Sequence, residues 1–461
     1  MPEGSSTMIL LYAFQYAERA LAEVPYLRFS AERTLCFLDD LRDPRSRIVA
    51  VMSEPVDPYT LEYHFRDIFR FDDRMVESAR ERLTIVVPAA PEVRPLDELV
   101  HRDDQVMELL RNTVRADPAA VIVNFAASRR TDELARAIGS SAEESDHLFA
   151  DRWGGKAGGK ELLIRAGVAV PGGTPELAHG EAAVVSAVKQ LTSGPIPPRR
   201  VLVKLSASTW AASIGNVLVD CDRLLRTRDL VGSAEMIRMP GDDFRRELAE
   251  SGAIVEEFVD EAVSSPSAQG WIGDGGTVDT IACHEQLLVD GQYWGCRSAV
   301  DEQWRPAMVT AMERTGAALA ELGHRGSFGV DFVTVPRRGL LAVEVNLRKV
   351  GPSHVVRYVE AIAGAKAGKD GLVRRPDGRR VHYSHRRLFE PDVLTALDPR
   401  SAVDRLRAEG LLYRHEAGEG VALHVLGGLD TCGFVELTAL APSAELADTH
   451  REAAEAALMR T

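Results

Sequence analysis

Two alternating apolar runs separated by a short turn-forming segment constrain the fold of this chain more than any other feature. Residues 328–335 and 340–346 alternate apolar and polar side chains, and they flank Pro336-Arg337-Arg338-Gly339. Short loops that contain proline and glycine join the strands of β-hairpins, so this stretch predicts a hairpin. We expect one face of the hairpin to be buried, with an apolar set made of Val330, Phe332, Leu341, Val343 and Val345.

The other face of this hairpin carries two acids. If the loop is symmetric, Asp331 lies directly opposite Glu344, and Asn346 follows two residues further along the same face, opposite Gly329. Carboxylates across a strand pair have Cβ atoms about 5 Å apart and repel each other, which disfavours this register unless a cation lies between them. Hard oxygen ligands suit Mg²⁺, which also binds substrate phosphates. A solvated hairpin with two surface acids is the alternative, but Asn346 and Arg348 favour the magnesium site.

The composition narrows the class of protein. A chain of 461 residues is too long for one core, so two or three domains are expected. The net charge of -14 argues against nucleic acid as a partner. The five cysteines lack CxxC spacing, which argues against a zinc site or a disulfide framework and suits a reducing cytoplasm. No export signal or membrane segment is predicted, because no apolar stretch approaches ~18 residues.

Lysine is scarce in this chain. Only seven of the 55 basic side chains are lysines, so a lysine placed where a phosphate site needs a compact charge carries extra weight. The segment from Gly154 to Lys160 superficially resembles a P-loop, but Glu161 stands where a hydroxyl residue is needed and no apolar strand precedes it. Lys156 and Lys160 lie one helical turn apart if the following helix begins early.

Apolar runs separated by helical segments predict the rest of the architecture. The first third reads as a small open α/β sheet, with strand-like runs at Arg47–Met52, Leu83–Pro88 and Ala120–Phe125. Strands at 200–204 and 216–220 are joined by a connector, 205–215, that predicts either a flap over a ligand or a plain long loop. The last hundred residues predict a helix at 401–409, strands at 420–426 and 434–440, and a terminal helix capped by Ser443.

These features occur in a recognisable order. The chain carries a lysine on a glycine-rich stretch, a lysine that ends a strand before a small-residue connector, an EEFV strand, and an acidic hairpin that ends in E-x-N-x-R. This order resembles the ATP-grasp superfamily over roughly residues 146–365. The resemblance implies an enzyme that uses ATP and magnesium.

The resemblance assigns the ATP contacts residue by residue. Lys156 matches the first phosphate-binding lysine, because it lies ten residues before Ala166 of the block AGVAVPGG, and Lys204 in VLVKLS matches the second. The resemblance implies that the strand with Glu256, Glu257 and Val259 binds adenine. It also implies an acid that binds the ribose hydroxyls, for which Glu261 is the candidate and Asp260 the alternative. The connector 205–215 has a single glycine where relatives carry several.

The resemblance also assigns the metal ligands and the catalytic groups. Asp331, Glu344 and Asn346 match the ligands of two Mg²⁺ ions, for which Mn²⁺ is a substitute. Arg348 matches the arginine that steadies the anionic intermediate, and it is predicted to be catalytic together with Lys204.

The outer parts of the chain narrow the resemblance. The blocks CFLDDLRDPRSRIVAVMSEP, RPLDEL and GVALHVLGGLDTCGFVELTALAPSAELA look like the outer domains of the peptide ligases of pheganomycin-type biosynthesis. The expected fold class is therefore mixed α/β (α+β). A small open α/β pre-ATP-grasp domain, 1–145, precedes the ATP-grasp domain, 146–365, and a small α+β C-terminal domain, 366–461, follows it.

The implied reaction is ATP-dependent formation of an amide bond. An amino-acid-like carboxylate is activated as an acyl phosphate and coupled to an amine, expected to be the N-terminus of a peptide, with release of ADP and phosphate. The alternatives are an ATP-grasp carboxylase or phosphotransferase and a non-catalytic ATP-binding module. Lys349 or His354 is a candidate for contact with the substrate, and Arg297 for binding its carboxylate, although each also fits a structural or surface role. A homodimer remains open.

Overall fold

The computed structural model describes residues 7–13, 18–89, 93–206 and 214–460. The N-terminal part contains β1 (Thr7–Leu11), α1 (Glu18–Glu23), a 3₁₀ segment (Pro25–Arg42), β2 (Arg47–Val51), α2 (Pro58–Tyr63), a π turn (His64–Ile68), α3 (Asp73–Arg82), β3 (Leu83–Val86), α4 (Leu96–Arg102), α5 (Asp104–Ala116), β4 (Val121–Asn124), α6 (Arg129–Ile138) and β5 (Ser141–Ala142).

The remaining elements fall into a middle part and a C-terminal part. The middle part contains α7 (His147–Gly154), α8 (Lys156–Arg165), α9 (Glu181–Thr192), β6 (Arg200–Leu205), β7 (Asn216–Asp220), α10 (Cys221–Thr227), β8 (Ala234–Met236), α11 (Gly241–Ser251), β9 (Ala253–Glu257), β10 (Pro266–Ile272), β11 (Val278–Val289), β12 (Gln292–Arg297), α12 (Arg305–Glu321), β13 (Gly326–Val335), β14 (Gly339–Asn346) and α13 (Ser353–Ala363). The C-terminal part contains β15 (Lys366–Ala367), β16 (Val373–Arg374), β17 (His382–Phe389), α14 (Pro391–Leu394), α15 (Pro399–Ala408), β18 (Gly420–His424), a 3₁₀ turn (Leu426–Gly428), α16 (Leu429–Cys432), β19 (Phe434–Ala441) and α17 (Ala444–Leu458).

The N-terminal sheet is parallel, with the strand order β3-β2-β1-β4-β5. The three predicted runs form β2, β3 and β4, whereas β1 was not predicted. The chain moves outward from β1 to β3 and then returns to place β4 on the other side of β1. The order therefore reverses between β1 and β4, and such a switch point opens a crevice at the carboxyl ends of the two strands.

The middle part contributes a four-stranded antiparallel sheet in the order β8-β7-β6-β9. Its apolar face packs against α9, α10 and α11 in a core of its own, which includes Val201, Val203, Val217 and Leu248. Most of the connector predicted as a flap, residues 207–213, lies outside the described residues. Lys204 lies next to the last residue of β6, as expected.

An eight-stranded sheet crosses the predicted boundary at residue 365. Its order is β14-β13-β10-β11-β12-β17-β19-β18, so strands of the C-terminal part extend the sheet that carries the acidic hairpin. The division into three domains stays a prediction, and this continuous sheet shows that the last two parts share backbone hydrogen bonds. Within the described residues, no helix combines the length and apolarity needed to cross a membrane.

The hairpin has the predicted register at its acidic end. Asp331 pairs with Glu344, and Gly329 pairs with Asn346. A Cβ atom on Gly329 would lie 2.5 Å from Cγ1 of Val350, so glycine is required at this position. The hairpin therefore holds both acids and Asn346 on one face.

The loop end of the hairpin differs from the prediction. Val335 pairs with Gly339, which leaves a three-residue loop, and a bulge at Val343 restores the register before Glu344. Because of this bulge, Ala342 packs in the core with Phe332 and Val345. Leu341 is buried as predicted, but opposite Val333, and Val343 is half-buried. Their assignment to the face of Phe332 was therefore wrong.

The helix after the hairpin, α13, begins at Ser353. Pro352 occupies the N-cap position of α13, and Ser353 is the first helical residue. The Ser353 hydroxyl accepts a hydrogen bond from the Val350 amide at 2.9 Å and donates one to Gln269 at 2.8 Å. Ser353 therefore connects α13 to strand β10 and does not cap the helix.

Candidate active site

The predicted metal ligands form one hydrogen-bonded group on the hairpin. Asp331 accepts a hydrogen bond from Nε2 of Gln286 at 2.9 Å and another from Nδ2 of Asn346 at 3.0 Å. Arg348 Nη2 donates to Oδ1 of Asn346 at 2.8 Å. The structure therefore brings Asp331, Glu344, Asn346 and Arg348 together. Gln286 of β11, which is separated from β13 by β10, joins them without a signal in the sequence.

The two acids have opposite pKa shifts. Burial and the facing Glu344 carboxylate raise the pKa of Asp331 to about 6. Burial also opposes ionisation of Glu344, but the Lys156 ammonium, which forms an ion pair with it, lowers its pKa below the ordinary value. The Lys156 ammonium lies where a cation is needed to relieve the repulsion. Carboxylate and amide oxygens that converge in this way fit the oxygen-ligand preference of Mg²⁺.

A second charged group lies beside the hairpin. The buried Glu256 carboxylate forms ion pairs with two ammonium groups, with Nζ of Lys160 at 2.6 Å and Nζ of Lys204 at 2.5 Å. Burial raises the pKa of Glu256, but Lys204 and Lys160 outweigh it, so its pKa lies below the ordinary value. Lys204 also donates to the carbonyl oxygen of Val343 at 3.1 Å, which ties this group to the bulge in the hairpin.

Lys160 was missed as a site residue. The motif around it fails as a P-loop, yet its side chain is almost fully buried and donates to the carbonyl oxygen of Pro171 at 2.9 Å as well as to Glu256. Helix α8 begins at Lys156, which places Lys160 one turn later on the same helix. The scarcity of lysine in the sequence was the signal that could have identified it.

The predicted adenine strand is β9 and the turn after it. Glu256 points to the lysines, whereas the Glu257 carboxylate accepts a hydrogen bond from the Gly172 amide at 2.8 Å and pairs with Arg338. The main-chain amide of Glu257 donates to the carbonyl oxygen of Gly172 at 2.9 Å. The main-chain edge of β9 is therefore already hydrogen-bonded at Glu257. Val259 is half-buried beyond the end of the strand, and Glu261 is exposed on the following turn.

Lys349 and His354 have partners within the protein. Lys349 donates to the carbonyl oxygen of Asn124 at 2.8 Å and forms ion pairs with Glu143 and Glu144. His354 Nε2 lies 2.7 Å from Oε2 of the buried Glu436. Both side chains connect the hairpin region to other parts of the chain. A structural role therefore suits them better than a role in binding the polar groups of the substrate.

Arg297 lies at the end of β12. Its Nη1 atom is 3.4 Å from Oδ2 of Asp448, and its side chain is 42% exposed. A role as a surface charge therefore suits Arg297 better than a substrate-binding role.

Known proteins share both the sequence and the architecture of this chain. The chain is 61% identical over 458 residues to the L-propargylglycine–L-glutamate ligase of Streptantibioticus cattleyicolor, which covers 99% of this chain and 95% of that protein. The chain belongs to the ATP-grasp carboxylate–amine ligases. Residues 401–454 of this ligase match the family model described as the PGM1 C-terminal domain, in agreement with the predicted pheganomycin-type resemblance.

Solved structures confirm the ATP-grasp fold class. The ligase superposes on biotin carboxylase from Campylobacter jejuni with a TM-score of 0.60 at 15% identity, over 97% of this chain and 90% of that one. It superposes on an N5-carboxyaminoimidazole ribonucleotide synthetase with a TM-score of 0.57 at 12% identity, over 98% and 96% of the two chains. At these identities the likeness concerns the fold alone.

Removal of the Lys160 charge should weaken ATP binding by this ligase. In Lys160→Met, Lys204 is the one ion-pair partner of Glu256 left among the described residues, and Glu256 holds that ammonium back from a phosphate. We expect the Kd for ATP, measured by calorimetry, to rise about tenfold, which corresponds to about 1.4 kcal/mol. The double variant Lys160→Met/Glu256→Gln should recover most of this loss.

The control for this experiment is Lys189→Met, which removes an exposed lysine from α9 and should leave the Kd unchanged. If the double variant binds ATP no better than Lys160→Met, the charge balance around Glu256 does not govern Lys204. A Kd unchanged in Lys160→Met would contradict the prediction directly.

Proposed function

We propose that this ligase uses ATP to activate the carboxylate of one amino acid and couples it to the amine of a second amino acid or of a peptide. The single observation that supports the proposal most is the convergence of Lys156, Lys204, Asp331, Glu344 and Asn346, from four separate elements, around one hairpin face. A non-catalytic module would have no physical need for this complete set of charges.

We assign the binding of the nucleotide to groups on both sides of the hairpin. Lys156 and Lys204 bind the ATP phosphates as point charges, and the β9 region with Glu257, Val259 and Glu261 binds the nucleoside. Asp331, Glu344 and Asn346 hold magnesium, with two ions expected and Mn²⁺ as a substitute, and the bound metal neutralises phosphate charge and polarises the transferred group. Before Lys156 can bind the phosphates, its ammonium must move away from Glu344, with which it forms an ion pair.

The chemical step then needs positioning and neutralisation of charge more than a protein nucleophile. A carboxylate oxygen of the donor attacks the γ-phosphorus, and the bond from that phosphorus to ADP breaks. The acceptor amine attacks the acyl carbon, phosphate leaves with the donor oxygen, and the ammonium proton passes to solvent. Arg348 lies beside Asn346 and stabilises the oxyanion of the tetrahedral intermediate that forms when the amine attacks the acyl carbon.

The named relative suggests the first substrates to examine. Its name pairs L-propargylglycine with L-glutamate, so we propose two amino acids of these kinds as donor and acceptor, with a peptide acceptor as the extension. A carboxylase or phosphotransferase activity is the competing function within the same fold. The reducing cytoplasm stays the proposed location, which the five free cysteines suit.

A hydroxylamine trap tests this proposal. The protein is incubated with ATP, Mg²⁺, hydroxylamine and single amino acids, beginning with L-glutamate and L-propargylglycine. We expect one amino acid to give a hydroxamate together with ADP, because hydroxylamine intercepts an acyl phosphate, and a mixture of both amino acids to give a dipeptide by mass spectrometry.

The controls separate the competing functions. Biotin with bicarbonate in place of the amino acids should give no ADP, and a stable phosphorylated product would instead indicate a phosphotransferase. ATP binding without hydroxamate from any amino acid or peptide would overturn the proposed ligase activity in favour of a non-catalytic module.

A further inference from the structure

A cavity lies at the switch point of the N-terminal sheet, and Lys349 and His354, the two candidates for contact with the substrate, border it. It is bordered by Tyr12, which follows β1, and by Phe125, which follows β4. Open parallel sheets bind ligands at the carboxyl ends of the strands where the strand order reverses. The cavity therefore occupies the place in this domain where a ligand is most readily accommodated.

The opposite wall of the cavity comes from the segment that follows the hairpin. Val350 borders the cavity two residues after Arg348. The Arg348 guanidinium lies 5.6 Å from the centre of the Phe125 ring, and that ring also borders the cavity. The cavity and Arg348, the arginine that we assign to the oxyanion, therefore share the Phe125 ring as a common neighbour.

The walls of the cavity favour an apolar guest. Cys36, Phe37, Val123, Phe125 and Val350 are all buried and present mainly carbon and sulfur. Burial raises the pKa of the Cys36 thiol to about 12, so this side chain is uncharged at neutral pH.

The charged side chains at the cavity are already engaged by acids. Arg33 forms an ion pair with Glu436, and Arg357 pairs with Asp40 at 2.8 Å. Lys349, as described above, pairs with two glutamates. A charged guest would therefore gain little from Arg33, Lys349 and Arg357 and would lose its own hydration.

The size of the cavity limits the guest. Its volume is about 40 Å³, and a cavity needs roughly 10–15 Å³ to hold one water molecule. By this measure it holds about three non-hydrogen atoms. An aromatic ring or a long side chain does not fit without movement of the buried walls, which cores resist.

We propose that this cavity binds the side chain of one amino-acid substrate and selects unbranched apolar side chains of about three carbons. The proposal rests on the proposed ligase function and adds a specificity site to it. Cys36 and Val123 set the depth of the cavity, because they line it from the 3₁₀ segment and from β4 and belong to no part of the nucleotide site.

Equilibrium binding tests the cavity without requiring turnover. The protein, with Mg²⁺ and a non-hydrolysable ATP analogue, is titrated by calorimetry with L-alanine, L-2-aminobutyrate, L-norvaline, L-propargylglycine, L-leucine and L-phenylalanine. We expect the three-carbon side chains of norvaline and propargylglycine to bind at least about tenfold more tightly than alanine or phenylalanine, as one or two methylenes in an apolar pocket allow. Equal affinity for phenylalanine and norvaline, or binding of no member of the panel, would overturn the proposal.

Two variants that change the depth of the cavity provide the decisive comparison. Cys36→Met fills the cavity and should move the preference toward alanine, whereas Val123→Ala enlarges it and should move the preference toward L-norleucine, which is titrated together with the panel. Cys221→Met, a matched substitution of a buried cysteine in α10 away from the cavity, should leave the order of affinities unchanged.

The readout separates a specific role from a structural one. A general loss of stability would weaken all amino acids together, and an unchanged order in both cavity variants would overturn the proposal. The hydroxamate experiment decides the ligase function independently, because it measures chemistry and not side-chain preference.

Discussion

Glu344→Gln should reduce amino-acid-dependent ADP release by about 10³-fold, comparable with the loss of a preorganised charge-stabilising group in other enzymes. The variant keeps the size of the side chain but removes the negative charge that faces Asp331 and pairs with Lys156. Without that charge, the pKa of Asp331 should fall, because the facing Glu344 carboxylate is one of the causes that raise it. A coupled ADP assay at saturating Mg²⁺ measures the effect.

The matched control for this variant is Glu161→Gln. Glu161 lies on α8, the helix that carries Lys156, and pairs at the surface with Arg152. It should keep full activity, and circular dichroism should show both variants folded. If Glu344→Gln retained more than about a tenth of the activity, Glu344 would not be a metal ligand.

Glu436→Gln should have the largest effect on stability. The Glu436 carboxylate is fully buried and lies 3.0 Å from Nε of Arg33, 2.7 Å from Nε2 of His354 and 3.2 Å from Nε of Arg387. Removing the charge leaves two arginines without their buried counter-charge, which typically costs about 3–5 kcal/mol. Chemical denaturation should show this loss as a lower free energy of unfolding.

The control for Glu436→Gln is Glu452→Gln at the surface. Glu452 is 68% exposed and pairs with Arg451 at 2.9 Å, so its loss should change the free energy of unfolding by less than about 1 kcal/mol. If the two variants were equally stable, the ion pairs of Glu436 would not hold the N-terminal, middle and C-terminal parts together.

The sequence predicted the acidic face of the hairpin because its determinants are local. Alternating runs of side chains and a short loop define a pairing, and the pairing of Asp331 with Glu344 follows from them. The bulge at Val343 could not be predicted, since residues 340–343 are all apolar and no alternation there marks the extra residue. The bulge explains why the two acids kept their register although the loop is one residue shorter than expected.

The charge partners were harder to predict than the hairpin. Lys160 and Glu256 are 96 residues apart in sequence, and no local pattern indicates that β9 passes beside α8. Val259 and Glu261, in contrast, were placed by family resemblance, and their roles stay proposals. Similarly, Arg33 and Glu436 are 403 residues apart, so their buried pair is visible only once the fold is known.

We propose that this ligase transfers the γ-phosphate of ATP to a carboxylate. The most direct measurement uses the donor amino acid identified by the hydroxylamine trap, labelled with ¹⁸O in its carboxylates, together with ATP, Mg²⁺ and the acceptor. We predict that one ¹⁸O atom appears in each molecule of released phosphate, because the donor oxygen leaves with the phosphoryl group. Formation of the amide with unlabelled phosphate would contradict an acyl phosphate and with it this account of the site.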